Sequence, residues 1–482
     1  MSDPLVTLDD RMARSAWVGA EPGLCEATIE LDRQLGCERQ SLADHAAHLA
    51  RPGPVNPFRA ARHLRAMTTA RWRWQFGRLP FDILSGRVLG DPSAYAKETV
   101  ATLLRDHLAA LGPAAAETAR IIETSEGLLP GVIVEAVRSR PVRVAPVPGI
   151  TVEAIVTRAF GDAVVAIEGD AMSATPLAQI HRAKLAADGR PVLVRVRRPR
   201  VDRDLHADAR ITASLVGSLE RLVPALRDPH PLGFIELSAR QTLEEGDLRN
   251  EALNAVELAL GAEALGLDSV RIAHPVPGLA DPRAVVFEDI GGTSLAEAGG
   301  AVDTEAVLRG FLGLSVESAL VTGVFHADLR TENMVICDDG RLGVIAFGTV
   351  GRFGLQMRRA AMKYLMAVFT GDVEGQIEAM RLAGAVPDDV DVAALARDLS
   401  ASEALQPMQM MTGGEGALVG GLKEGVAILL RHQLRPPIEV TLFVRNVFAL
   451  NAFVRQVAPE SSLMMALMPL VQRLPDLAAE LE

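Results

Sequence analysis

Phe325-His326-Ala327-Asp328-Leu329-Arg330-Thr331-Glu332-Asn333, followed downstream by Ala346-Phe347-Gly348, is the stretch on which the reading of this chain turns. Phosphoryl transfer from a metal-bound nucleotide needs a carboxylate to orient the acceptor and an amide to hold one metal ion. It also needs a second carboxylate, just before Phe-Gly, to hold the other ion. Asp328 and Asn333 stand at the spacing of the first two. The third position is Ala346, whose methyl group cannot bind a metal. The same residues therefore predict the fold that carries such a loop and argue against magnesium.

Composition narrows the remaining classes. The 482 residues are enough for two or three domains' worth of core. A net charge of −12 argues against a nucleic-acid binder, which would carry a basic face. Cys25, Cys37 and Cys337 form no metal-ligand or disulfide spacing, so a reducing, cytoplasmic setting is expected. No apolar run approaches the roughly 18 residues needed to span a bilayer. The acidic start, MSDPLVTLDDR, lacks the apolar core of a signal peptide. Membrane contact is expected to be peripheral at most.

Outward from the opening stretch, residues 1–50 read as short helices and RPGPVNP (51–57) as a linker. Arg59 to Arg78 is arginine-rich with Trp72 and Trp74 interleaved. Its arginines are either solvated and paired or in contact with anionic lipid. Asp91-Pro92 opens a helix, with Asp91 as cap and Pro92 in the first turn. Val100, Leu103, Leu104, Leu108 and Leu111 are expected on one face of it, Gly112-Pro113 ends it, and a second helix runs from Ala114 to Ile122.

From Val152 the texture changes to short β-rich runs, Val164–Ile167 and Val192–Val196, separated by the Ala187-Asp188-Gly189 turn. Thr242 to Leu260 reads as one helix and Val285–Glu288 as a strand. After Phe311 the chain is mostly helical, ending in helices over 418–434 and 438–457, with Thr412–Gly421 as a mobile loop. Strands, a helix, another strand and then a helical half is the order of a bilobal protein-kinase-like fold of the α+β class. The expected division is a helical region at 1–90, a helical extension at 91–150, an N-lobe at 151–294 and a helical C-lobe at 295–482.

Five segments in order now carry a family resemblance: ATPLAQIHRAKLAADGRPVLVRVRRP (174–199), EGDLRNEALNAVEL (245–258), AVVFEDIGGTSL (284–295), FHADLRTENMVICDDGRLGVIAFGTVGR (325–352) and LRPPIEVTLFVRNVFALNAFVRQVAP (434–459). The chain resembles the AarF/UbiB (ADCK-type) atypical kinase-like family from about Ala94 to its C-terminus. The resemblance implies a protein-kinase-like fold, nucleotide binding, weak ATPase activity at membranes, and a tie to ubiquinone and other isoprenoid-lipid metabolism.

Carried over by position, the resemblance places Gln179 in an alanine-rich loop that replaces the glycine-rich phosphate loop. Pro176 there removes a backbone N–H that a phosphate could use. The phosphate-touching strand Lys aligns with Arg195, and its partner on the following helix with Glu251. The family's E-x-D pair is kept as Glu245 and Asp247. Its K-x-G-Q signature, after Leu111-Gly112-Pro113, falls on Glu117-Thr118-Ala119-Arg120, every defining residue changed. The H-P-G before the Asn has become Arg330-Thr331-Glu332.

Each candidate has two readings. Asp328 is either a base or water-orienting carboxylate, or a residue that hydrogen-bonds its own loop. His326 fits a structural hydrogen-bonder better than a proton donor. Asn333, with Glu332 as a substitute for the missing carboxylate, forms the candidate metal pair; a solvent-exposed role for Glu332 is the alternative. Arg195 either contacts phosphate or neutralises Glu251 or Asp328. Gln179, Arg195 and Glu251, with an adenine slot at Phe287-Glu288-Asp289, make up the candidate nucleotide site. Arg197, Arg198, Arg200 and Arg203 read as a surface strand end and turn. Asp338-Asp339-Gly340 reads as a hairpin turn, and Met408, Met410 and Met411 as a core edge or flexible apolar patch.

Losing the metal carboxylate and the phosphate Lys together removes several kcal/mol of transition-state stabilisation, at about 1.4 kcal/mol per tenfold in rate. The expectation is therefore a pseudokinase: a scaffold or accessory protein that holds ATP or ADP, a hydrophobic or isoprenoid-derived metabolite, or a biosynthetic partner protein. A homo-oligomer stays open. The alternative is an active atypical ATPase or kinase working through Asp328 and Asn333. An enzyme that reuses the cleft for other chemistry has no nucleophile–base pair to support it.

Overall fold

A computed structural model describes residues 7–21, 23–49, 51, 54–85, 91–123, 131–139, 144–222, 231–295, 303–330, 333–387, 390–406, 408–409, 417–434, 436–457 and 463–481. The chain forms two compact units, one of residues 1–35, 249–280 and 285–482, the other of 36–248 and 281–284. The sequence expected at 151–294 to be a single lobe contributes to both.

In the second unit, Asp91 caps the Pro92–Leu111 helix by accepting from the Ala94 N–H at 3.0 Å. Leu108 and Leu111 then pack with Ala115, Ala119 and Ile122 of the Pro113–Glu123 helix and with Ala66 of the Pro57–Arg73 helix. Strands Ala178–Leu185 and Pro191–Arg197 form an antiparallel hairpin with seven residue pairs in register, from Ala178↔Arg197 to Lys184↔Pro191. Gly189, at φ +73°, supplies the left-handed turn conformation that a β-carbon would oppose. Two short strands, Val164–Val165 and Ser173–Ala174, pair with the outer side of this hairpin.

The first unit is built around the Leu248–Ala264 helix, whose Val256 and Leu260 pack against Met12, Val18 and Leu24. Strands Val270–Ile272, Leu342–Val344, Met334–Ile336 and Thr293–Ser294 form a mixed sheet. A separate pair, Val324–His326 with Val350–Arg352, brackets the opening stretch. Gly351 is required in that pair, because a β-carbon there would lie 2.1 Å from the Phe325 ring. C-terminal helices Leu355–Thr370 and Leu463–Leu481 share a core around Leu320, Met362, Leu474 and Leu477.

Several local expectations are corrected. Leu24–Leu49 is one long helix, not several short ones. The segment read as one helix at 242–260 is two, Pro231–Gly246 and Leu248–Ala264, broken after Gly246. The β-run at Val164–Ile167 is a strand for two residues only. Ala417 to Gly421, expected in a mobile loop, open the Ala417–Arg431 helix; residues 412–416 lie outside the described residues. The Asp338-Asp339-Gly340 turn does join two antiparallel strands, with Gly340 at φ +84°. Met408 is exposed, and Met410 and Met411 lie outside the described residues.

Candidate functional site

In the first unit the opening stretch is held by bonds that run largely to main chain. His326, 1% exposed, places Nε2 2.8 Å from the Ala346 carbonyl, while its Nδ1 lies 3.2 Å from the Asp328 N–H. The carbonyl can only accept and the N–H can only donate, so the proton sits on Nε2 and the ring is a fixed bridge between the two loops. Asn333 donates from Nδ2 to the Asp328 carbonyl at 3.0 Å. The Asp328 carboxylate forms an ion pair with Arg330 at 2.9 Å. Behind the loop, the Ile438–Val457 helix offers two buried polar side chains. Asn446 donates to the His326 carbonyl at 2.9 Å and Arg445 to the Ala327 carbonyl at 3.4 Å.

Phe347 is clamped by the Leu248–Ala264 helix. Its N–H donates to the buried Glu251 carboxylate at 2.8 Å, and its carbonyl accepts from Asn254 at 2.8 Å. Asn254 in turn accepts from Arg352 at 2.6 Å, and Arg352 also pairs with Glu257. Positions 251, 254 and 257 repeat at helical spacing, so one helix face grips the segment that follows Ala346. The Phe287 and Phe347 rings stand 5.4 Å apart, both buried. Glu288 is tied to His274 and Arg271, and the Asp289 carboxylate accepts from the Gly291 N–H. Asp328, Asn333, Glu251, Phe287, Glu288 and Asp289 thus all lie in the first unit. Glu332 lies outside the described residues.

The residues described do not fit a magnesium site. Ala346 is buried and offers no donor, Asp328 is paired with Arg330, and no group of three His, Cys, Asp or Glu side chains converges among the described residues.

In the second unit, Gln179 and Arg195 sit on paired strands, yet their register separates them. Gln179 lies opposite Val196, and Ile180 opposite Arg195. Side chains alternate along a strand, so the two leave opposite faces of the sheet. Gln179 accepts from the Val147 N–H, and its amide nitrogen lies 3.2 Å from His181, whose other ring nitrogen lies 2.9 Å from the Glu168 carbonyl. Arg195 is buried.

The expected surface run is only partly at the surface. Arg198 is buried, reaching the Thr175 and Ala145 carbonyls at 2.8 and 2.7 Å, and burial lowers its pKa. Arg197 bonds the Gly246 carbonyl, whereas Arg200 and Arg203 are exposed.

The segment aligned with K-x-G-Q forms a closed cluster. Arg120 bonds the buried Glu117 at 2.7 Å and reaches Glu245 at 3.2 Å, and Gln241 donates to Glu245 at 2.9 Å. Glu117 and Glu245 thus share one cation, Arg120.

Sequence reasoning missed Asn254, Arg352, Arg445 and Asn446. The available signal was polar residues within otherwise apolar helical segments, VRNVFALNAF (444–453) above all, since buried polar groups need partners.

The ABC1 atypical kinase-like domain matches residues 143–380. The chain is 26% identical over 328 residues to a probable protein kinase UbiB of Cronobacter sakazakii, covering 65% of this chain and 60% of that protein. It is 24% identical over 390 residues to a probable protein kinase UbiB of Xanthomonas campestris pv. campestris, covering 77% and 69%. The chain therefore spans about three-fifths to two-thirds of the length of these relatives. A solved complex of Rv3197 with erythromycin from Mycobacterium tuberculosis aligns at a TM-score of 0.46 and 20% identity, over 70% of this chain and 87% of that one. On the match to the ABC1 atypical kinase-like domain and the likeness to UbiB proteins, the chain is a member of the AarF/UbiB atypical kinase-like family.

Proposed function

We propose that this chain is a pseudokinase of the AarF/UbiB type, a nucleotide-holding accessory protein of quinone or isoprenoid-lipid biosynthesis rather than a phosphotransferase. The observation that carries this reading is the state of the Ala346-Phe347 segment. Its metal-binding carboxylate is absent, and the following residue is fixed by Glu251 and Asn254. Asp328 is turned to Arg330. A catalytic site needs its donors and acceptors aimed at the reacting groups; here the retained polar side chains serve the loop itself. The nucleotide is supported by the family, and the biosynthetic setting by the name its relatives carry.

ATP binding measured by calorimetry, with and without magnesium, tests the reading. The expected result is an affinity that magnesium leaves unchanged, with no hydrolysis above background. Binding that strengthens markedly with magnesium, together with ATP hydrolysis abolished by Asp328→Asn, would replace it with an active ATPase that draws a metal ligand from elsewhere in the chain.

A further inference from the structure

The Gly149–Phe160 helix of the second unit uses two of its faces. Val152 and Val156, four residues apart, are buried. Thr151, Ala154, Ile155, Arg158 and Ala159 recur at the three- and four-residue spacing of one face. That face is one wall of a cavity of about 560 Å³. The opposite wall is Arg197, at the end of its strand, with Asp281, Pro282 and Arg283 of the turn that leads into the Ala284–Glu288 strand. All the lining residues belong to the second unit.

The turn wall is held by main chain. The Arg283 N–H donates to the Asp281 carboxylate at 2.8 Å, and the Arg283 carbonyl accepts from the Arg197 N–H at 2.8 Å. The Pro282 carbonyl accepts from the Leu248 N–H at 3.3 Å. The Arg197 guanidinium donates to the Gly246 carbonyl at 2.5 Å and stands 3.6 Å from Asp202.

Three guanidinium groups therefore line one space, and they differ in what they are doing. Arg197 is engaged. Arg158 and Arg283 are exposed, and neither pairs with a carboxylate of a described residue. The acid in the lining, Asp281, already accepts a bond from its own turn. Two arginines on a convex surface would simply be solvated. Here they sit on facing walls of a cleft, where charge of one sign concentrates counter-ions, in a chain that otherwise carries −12. The planar fork of arginine matches the oxygens of a phosphoryl group. Ile155, Ala159 and Pro282 add an apolar side. The volume falls within the roughly 300–1,000 Å³ of small-molecule sites and leaves room beyond a phosphate for an apolar portion.

We propose that this cavity binds a small organic phosphate, its phosphoryl group held by Arg158 and Arg283 and its apolar portion against Ile155 and Pro282. The site shares no residue with the Asp328 loop and is independent of whether nucleotide is held there.

The experiment is titration calorimetry of the full chain with hexyl phosphate and, separately, with inorganic phosphate. Hexyl phosphate is expected to bind the more tightly. A hydrogen bond to a charged group is worth about tenfold or more in affinity, so Arg158→Gln and Arg283→Gln should each weaken hexyl phosphate at least tenfold. Ala154→Glu sets a carboxylate in the cavity on an exposed helical position and should abolish binding. Ile155→Ser should bring hexyl phosphate down towards inorganic phosphate without changing the latter. Arg309→Gln, at an exposed arginine of the first unit, should change neither. Arg158, Arg283 and Ala154 are exposed, so an unchanged Tm is expected for their variants. Hexyl phosphate that binds no tighter than inorganic phosphate overturns the proposal. So does equal weakening by Arg309→Gln, which would mean diffuse attraction of anions. Displacement by ATP of hexyl phosphate whose binding Arg158→Gln leaves intact would place the anion in the nucleotide site and overturn it as well.

Discussion

The polar side chains around Asp328, in the first unit, and those around Arg120, in the second, are satisfied in different ways. Around Asp328 the side chains that remain address the backbone: His326 the Ala346 carbonyl, Asn333 the Asp328 carbonyl, Asn254 the Phe347 carbonyl. Around Arg120 they address one another, as a cation between the carboxylates of Glu117 and Glu245. A main-chain partner is present whatever the sequence becomes, so the first region can lose its metal carboxylate and keep its shape. Buried charges need a named partner, so in the second region the Glu117 and Glu245 carboxylates depend on Arg120. The difference predicts unequal sensitivity to substitution.

Arg120→Ala carries the largest expected effect. It leaves Glu117, 1% exposed, and Glu245, 9% exposed, without their shared cation. Removing one partner of a buried pair costs about 3–5 kcal/mol, which chemical denaturation would read directly. Asn254→Ala removes one bond to the Phe347 carbonyl and one from Arg352. A buried group left unsatisfied costs about 1–3 kcal/mol, and the fold around Ala346 is expected to survive. If Asn254→Ala proves the more costly of the two, the distinction between backbone-directed and charge-directed networks fails.

Much of the first region was legible in the sequence because its signals are local. Asp328 and Asn333 are five residues apart, and Ala346-Phe347-Gly348 needs no partner to be recognised. The strand at Val192–Val196 and the Asp91-Pro92 helix start were equally plain, each set by a run or a cap. What escaped depends on distance or register. The bond between Glu251 and the Phe347 N–H spans 96 residues. The opposite faces of Gln179 and Arg195 follow from a pairing that shifts by one residue if the hairpin turn changes. Leu24–Leu49 was read as several helices because its surface is mixed, and it is held as one by tertiary contacts at Leu24, Ala46 and Leu49. The inward polar face at Arg59 and His63 was unreadable without Asp208, since an arginine in a helix ordinarily implies solvent.

The smallest expected effect concerns that inward face and extends the comparison to a neutral member of a charged cluster. The His107 ring stands 5.2 Å from His63, and burial holds its pKa down to about 4, with His63 adding to the depression and Asp208 opposing it. In the unfolded chain His107 takes up a proton near its ordinary value of about 6.5. Between those values the unfolded state binds the proton and the folded state does not. The contribution is therefore absent above about pH 6.5 and becomes destabilising as pH falls towards 4, where it levels off. Burial would raise the Asp208 pKa, but the bonds from Arg59 and His63 outweigh it and hold it low. Its stabilising contribution is likewise lost in acid, and it is common to wild type and variant. The Nδ1 atom of His107 is buried and bonds no described residue, so His107→Leu sacrifices no hydrogen bond there. The variant should match wild type at pH 7.5 to within a degree or two of Tm and should fall less steeply between pH 6.5 and 4. The ring is partly exposed, so solvent screening keeps the difference modest. Parallel Tm curves for the two proteins across that window would mean that His107 protonates without cost, and that the cluster tolerates an added cation beside Asp208.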